Sequence, residues 1–274
     1  MYLGHFGLQR RPFSKTPDPA FLYLSRQHAE ALARLSHAVE EREIAVLTGE
    51  IGVGKTTLAR ALVDEFAERC RFSFVINPAL PAAQLLAAIA EGFGLPTARR
   101  KGETWSALGR HLETLDEAGQ FPVVVIDEAQ LLAGRAAWDE LRLLTNLAAD
   151  DRPLVGLVLI GQPELRERLR AQGGEPFAQR VGVAYHVGAL DEAEVGRYLA
   201  HRLAVAGRAA PLFAPDAVIA LHRRSGGLPR RLNQLASSAL LEGFARDASR
   251  IDAAIVDAVA EDLRAHLGSL GTAG

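Results

Sequence analysis

The chain of 274 residues is 49% hydrophobic and 23% charged, ordinary usage for a globular protein, which excludes a disordered one. A formal net charge of −2 and a pI near 6.5 argue against wholesale nucleic-acid binding, although 31 Lys and Arg residues leave room for a local basic face. The single cysteine, Cys70, permits no internal disulfide, so a reducing compartment and a small buried side chain are expected.

The N-terminal MYLGHFGLQRRPF lacks the apolar run of a signal peptide. No stretch approaches the ~20 apolar residues of a membrane-spanning helix, so a soluble, cytoplasmic chain is expected. Residues 1–25, rich in Pro, Gly and aromatics, read as an irregular N-terminal arm. From Gln27 to Glu41 the apolar positions Ala29, Leu32, Leu35 and Val39 recur at helical spacing. Ile44–Thr48 reads as a short buried strand, followed by a glycine loop, a helix over Lys55–Glu68 and a strand over Phe72–Ile76. Helical patterns around Pro81–Gly92 and Thr104–Ala118 precede the wholly apolar strand Pro122–Ile126. A helix over Ala136–Ala149 leads to strand Leu154–Ile160, and Val181–Val187 is a candidate fifth strand. Strands that are apolar throughout and alternate with helices indicate a parallel sheet covered on both faces. Beyond Leu190 the pattern is helix only, over Asp191–Ala206, Pro215–Arg224, Arg230–Phe244 and Ala253–Leu267. The expected organisation is therefore a three-layer α/β core over 26–190 and a helical lid domain over 191–274.

GEIGVGKT, Gly49 to Thr56, matches G-x-x-x-x-G-K-[ST] and lies between an apolar strand and an amphipathic helix, the P-loop context. The backbone of Gly49, Glu50, Ile51, Gly52, Val53 and Gly54 is expected to wrap so that successive N–H groups meet phosphate oxygens. The helix that follows presents its positive end to the same anion. Lys55 is the expected point charge on the β- and γ-phosphates of ATP, and Thr56 the hydroxyl ligand of Mg²⁺. Thr57 is a further candidate, for the α-phosphate.

Val123–Ile126 run into Asp127 and Glu128, which puts two carboxylates at the carboxyl edge of the sheet. Asp127 is the candidate for Mg²⁺, through its water shell, and Glu128 for orienting and polarising an attacking water.

Three features point to the AAA+ branch of P-loop ATPases. Gln162, just after strand Leu154–Ile160, is placed to sense the γ-phosphate. Arg180, in the Gln179-Arg180 pair, is a candidate finger reaching a neighbouring subunit's nucleotide, with Arg168 and Arg170 as competitors. Arg230, after Gly226-Gly227-Leu228-Pro229, opens a helix and is a candidate second sensor on the phosphates.

At this point the sequence resembles the ExeA family, the general secretion pathway protein A type of AAA+ ATPase. The resemblance rests on FGLQRRPFSKTPDPAFLYLS, LTGEIGVGKTTL, VVVIDEAQLL, LRLLTNLAADDRPLVGLVLIGQPELRERL, the Gln-Arg pair and SGGLPRRLNQLASSALL. It spans residues 3 to about 245, the run around LRLLTNL and GQPEL being the diagnostic part. The resemblance implies an ATPase that assembles into a ring and drives a cell-envelope assembly step through a protein client. Secretion members of that family carry a membrane span and a periplasmic peptidoglycan-binding region after the ATPase; these 274 residues contain neither. The expectation is an isolated ATPase module, or a standalone member with a different client.

The alternative is an ATP-dependent DNA-binding regulator of transposition, which needs a basic stripe facing the duplex. Arg99, Arg100 and Lys101, with Arg223, Arg224, Arg230 and Arg231, are its candidates. An aromatic fraction of 6% argues against a single-strand stacking platform.

Overall fold

A computed structural model describes residues 2–14, 18–96, 100–149, 152–171 and 174–267. Its elements begin with the short helix α1 (Tyr2–His5), followed by α2 (Arg26–Glu40), β1 (Ile44–Gly49), α3 (Lys55–Phe66), β2 (Cys70–Val75), α4 (Ala82–Gly92) and α5 (Lys101–Glu117). Next come β3 (Phe121–Ile126), α6 (Gly134–Leu144), the two-residue strands β4 (Ala148–Ala149) and β5 (Arg152–Pro153), and β6 (Gly156–Gly161). The remainder is α7 (Glu164–Arg170), α8 (Glu175–Ala178), β7 (Val181–Val187), α9 (Glu192–Val205), α10 (Pro215–Ser225), α11 (Pro229–Ala245) and α12 (Ala253–Leu267).

The chain divides into two compact units. One comprises Gln27–Glu50 and Lys55–Val187; the other comprises Met1–Arg26, Ile51–Gly54 and Gly188–Gly274. In the first, five strands form a wholly parallel sheet in the order β2-β3-β6-β1-β7. Every residue of β1, β3 and β6 is buried, as a central parallel strand covered on both faces requires. The chain runs outward from β1 to β2 and then back to β3, and right-handed crossovers in opposite directions put α3 on one face and α4 and α5 on the other. Ile44, Val46, Val124, Ile126, Leu157 and Leu159 share a core with α4, α5 and α6. That core includes Leu85, Leu86, Leu108, Leu112 and Trp138. Cys70 opens β2 as a buried residue, and burial pushes its thiol pKa up, so it is a packing residue of low reactivity.

Several boundaries depart from the sequence pattern. In α2 the buried residues are His28, Ala31, Leu35, Ala38 and Val39; of the four expected positions Leu35 and Val39 are buried, Leu32 is half-buried and Ala29 is exposed, the alanines being too numerous to mark one face. The helix expected to reach Ala149 stops at Leu144, where the Thr145 hydroxyl turns back to the carbonyls of Leu141 and Arg142 (3.1 and 3.2 Å) and β4 then pairs with β5. Helices α7 and α8 were not foreseen from periodicity, being seven and four residues long.

The second unit has its own core, built from α9–α12 and from the N-terminal residues Phe6, Leu8, Phe13 and Phe21. The stretch that reads as an irregular arm therefore supplies core side chains to the helical unit. Arg202 of α9 is buried and explains the attachment: its Nε donates to the Pro12 carbonyl (2.5 Å), and its Nη1 to the Tyr198 hydroxyl (2.9 Å). Its guanidinium also lies 5.0 Å from the centre of the Phe21 ring. A capping box of Asp191 and Glu194 starts α9, and the second Glu194 oxygen accepts from Arg26 N–H (3.2 Å). Among the described residues no helix is long and apolar enough to cross a membrane.

Candidate functional site

Strand β1 delivers the chain directly into the glycine loop, where Gly52 (φ +84°) and Gly54 (φ +112°) take left-handed backbone that other residues avoid. Lys55, at the first position of α3, is buried; its ammonium donates to the carbonyls of Gly49 (2.6 Å) and Glu50 (3.0 Å). The loop thus curls around its own lysine, the arrangement needed to hold a cation where phosphate oxygens would lie.

Thr56, one residue on, is exposed, and its hydroxyl donates to Asp127 Oδ2 at 3.0 Å. Asp127 follows β3, and its backbone N–H is fixed by the Val75 carbonyl (2.9 Å). The loop hydroxyl and the strand-end carboxylate, 71 residues apart, therefore meet. Hard oxygen donors side by side are the kind of pair that suits Mg²⁺ together with phosphate and water, so these residues fit that ion. Thr57 is half-buried within α3.

Glu128 sits next to this pair in a left-handed conformation (φ 51°, ψ 38°), with its N–H donating to Asp127 Oδ1 (2.9 Å). Such backbone in a non-glycine residue costs of order 1 kcal/mol and persists where neighbours over-determine it. The neighbours are two amides. Gln130 Nε2 and Gln162 Nε2 both donate to Glu128 Oε2, at 2.6 and 3.1 Å, and Gln130 Oε1 accepts the Gln162 backbone N–H at 3.0 Å. Gln162 was expected here from its place after β6. Gln130 was not, and the only signal for it is that it lies two residues after Glu128 in the DEAQ run.

Arg230 lies at the start of α11, and its N–H donates to the Gly52 carbonyl (3.2 Å). A Cβ added at Gly52 would stand 2.7 Å from the Arg230 Cβ, so glycine is required there by close approach as well as by φ. Gly227 (φ +70°) makes the turn before α11 possible, since any Cβ would fall 2.1 Å from the Leu190 carbonyl oxygen.

Arg180 is not brought to this cluster. Its guanidinium closes the C-terminal end of α6, donating to the carbonyls of Arg142 (3.0 Å) and Thr145 (3.1 Å), to Thr145 Oγ1 (3.1 Å) and to Asn146 Oδ1 (2.6 Å). The unsatisfied carbonyls and negative end of a helix attract such a cation, and the sequence pattern gave no sign of that competing use.

On the α7 side of β1 and β7 lies a cavity of about 370 Å³ lined by Val46, Thr48, Arg166, Leu169, Tyr185 and His186 among others. Thr48 Oγ1 and His186 Nδ1 are 3.0 Å apart. Burial lowers the His186 pKa; Arg166 and Lys55 lower it further, while Glu50 opposes them.

A family model described as an AAA domain matches residues 37–169. The chain carries an AAA domain. Across 255 residues, 92% of its length, it is 42% identical to general secretion pathway protein A of Aeromonas hydrophila, and it spans 46% of that protein. The AAA domain here is thus similar to that of the general secretion pathway protein A type, over the ATPase region. Among solved structures, the Aeropyrum pernix ORC2 protein in its ADPNP-ADP complexes superposes with a TM-score of 0.70 at 20% identity, covering 96% of this chain and 75% of that one. Drosophila ORC bound to DNA gives 0.71 at 16% identity, covering 97% and 66%. The Thermotoga maritima RuvB Holliday junction branch migration motor gives 0.59 at 20%, covering 88% and 70%. At these identities the structural likeness concerns the AAA fold alone.

Proposed function

We propose that this chain binds Mg-ATP and hydrolyses it, and that turnover drives a self-assembling ATPase in a cell-envelope or secretion-linked step. The observation that carries the reading is the 3.0 Å contact between Thr56 and Asp127, which joins the phosphate loop to the acidic strand end beside Glu128. In this proposal the N–H groups of Gly49–Gly54 and the α3 N-terminus bind the phosphates, and Lys55 exchanges its loop carbonyls for β- and γ-phosphate oxygens. Thr56 and Asp127 hold Mg²⁺, which when bound neutralises charge on the phosphates. Thr57 serves the α-phosphate, Glu128 accepts a hydrogen bond from the attacking water and orients it, and Gln162 and Arg230 report on the γ-phosphate. Phosphoryl transfer is mostly positioning and charge stabilisation, which this set of donors and carboxylates is suited to supply. Residues 26–190 act as the ATPase core and 191–274 as the lid domain.

Self-assembly calls for a cation from the next copy. Arg180 was the first candidate from sequence, but its cis bonds at the end of α6 favour Arg168 or Arg170 of α7, which have no side-chain partner among the described residues. Relationship to general secretion pathway protein A supports the envelope-linked client. The DNA-directed alternative has weaker support. Among the candidates for a stripe, Arg223 and Arg224 both bond Asp257 and Lys101 bonds Glu140 at 2.5 Å, so three of these charges are already paired within the chain. Arg99 lies outside the described residues.

The deciding experiment is the ATPase rate of purified protein against its own concentration, with and without duplex DNA at moderate salt. Specific activity that rises with concentration and ignores DNA supports the reading. Large stimulation by DNA that fades with salt supports the transposition-type regulator, and no turnover under any condition overturns both.

A further inference from the structure

We propose that Gln130 is a positioning residue: its amide fixes the Glu128 carboxylate and ties it to the end of β6 that carries Gln162. The inference rests on the ATPase reading above and adds to it a residue that the phosphate-loop and acidic motifs do not include.

Gln130 is only 8% exposed, so its amide must find partners inside the protein, and both ends do. The NH₂ end donates to Glu128 Oε2 at 2.6 Å, a charge-assisted bond. The carbonyl end accepts the backbone N–H of Gln162 at 3.0 Å. One side chain therefore connects the ends of two adjacent parallel strands, β3 and β6, at the edge of the sheet where the candidate site lies. Gln162 closes the ring by donating its own amide to the same Glu128 oxygen at 3.1 Å.

Two further observations indicate that the amide is built into its place. A Cβ on Gly161 would fall 2.8 Å from Gln130 Oε1 and 2.9 Å from Leu165 Cδ2, so the seat is open only because residue 161 is glycine. Glu128 also holds a left-handed backbone, and a strained residue whose carboxylate is held at a fixed point is a preorganised one. The consequence is specific. Anything that moves Gln162, such as contact with a γ-phosphate, shifts the Gln130 carbonyl's partner and with it the donor that sets Glu128.

Two variants separate this from a packing role. Gln130→Glu keeps the acceptor for Gln162 N–H at nearly the same volume and replaces the donor with a charge that repels Glu128. Gln130→Met keeps the bulk and removes both bonds. The positioning role predicts that kcat falls roughly ten- to a hundredfold in both, with Gln130→Glu at least as impaired. Affinity for a fluorescent ATP analogue, measured in Mg²⁺, should be retained. Adding Glu128→Gln to either variant should cost no more than Glu128→Gln alone, because the amide acts only through that carboxylate. A packing role predicts the opposite order, a mild Gln130→Glu, with losses that add to that of Glu128→Gln. Wild-type kcat, or losses that add to that of Glu128→Gln, in folded, nucleotide-binding variants overturn the proposal while leaving the ATPase reading intact. If wild-type protein binds the analogue without turnover, the ATPase reading fails and the positioning role goes with it. Should one variant melt early, the other decides.

Discussion

In the proposed site Lys55 supplies the positive charge for the β- and γ-phosphates, and its buried ammonium rests on two loop carbonyls that phosphate oxygens would replace. Lys55→Ala should abolish detectable nucleotide binding in a fluorescence titration; retained affinity would show that the loop's N–H groups suffice. Glu128→Gln should bind normally and lose about 10²- to 10⁴-fold in kcat, the usual worth of a positioned acid or base, read from steady-state turnover. At His186 the effect is on stability. Burial and the Arg166 charge hold its folded pKa below the ordinary value, so the unfolded chain binds more protons there. Stability should be full above about pH 6.5, the ordinary histidine value, and decline as the pH drops through the folded pKa. The melting temperature of the wild type should therefore fall across that range, and His186→Asn should flatten the profile; parallel profiles would contradict the assignment.

At the scale of elements, two arginines do structural work that their sequence positions did not advertise. Arg180 satisfies the last carbonyls of α6, and Arg180→Ala leaves several acceptors to water at an exposed helix end. A loss of about 1 kcal/mol is expected, read as a small fall in melting temperature. If the variant keeps wild-type stability but loses concentration-dependent turnover, the arginine works between copies after all. Arg202 binds the N-terminal segment to α9 through Pro12 and Tyr198, in a buried setting. Arg202→Met should cost about 2–3 kcal/mol by leaving buried acceptors unpaired, and should speed proteolysis near residues 2–14. The first appearance of this arginine is in an ordinary amphipathic helix pattern, EVGRYLAHRLAV, where it reads as a solvated charge. Only its neighbours in space make it a core residue.

For the whole molecule, the chain comprises two separately cored units, one around the parallel sheet and one around α9–α12. Tip residues Ile51–Gly54 of the phosphate loop group with the helical unit, and the Gly52–Arg230 contact is the local reason. Gly52→Ala should therefore disturb both the loop conformation and the start of α11. Weaker nucleotide binding is expected together with a lowered melting temperature, and loss of the first without the second would mean that Arg230 yields readily.

The sequence by itself determined the parallel α/β core, the glycine loop and the acidic strand end. Each depends on short-range pattern: unbroken apolar runs of strand length, glycines at fixed spacing, a lysine and hydroxyl at a helix start. All four C-terminal helices were legible for the same reason. Only the tertiary structure decided which residues meet: Thr56 with Asp127, Gln130 with Glu128 and Gln162, Arg230 with Gly52, Arg180 with the end of α6. Apart from Gln130 and Glu128, these partners lie tens of residues or more apart and leave no periodic trace. A glutamine or arginine looks the same in the sequence whether it is solvated or buried. For Gln130 the fold decides by removing water from around the amide, which obliges it to find partners; for the exposed Thr56 and Arg180 it decides by bringing distant segments side by side.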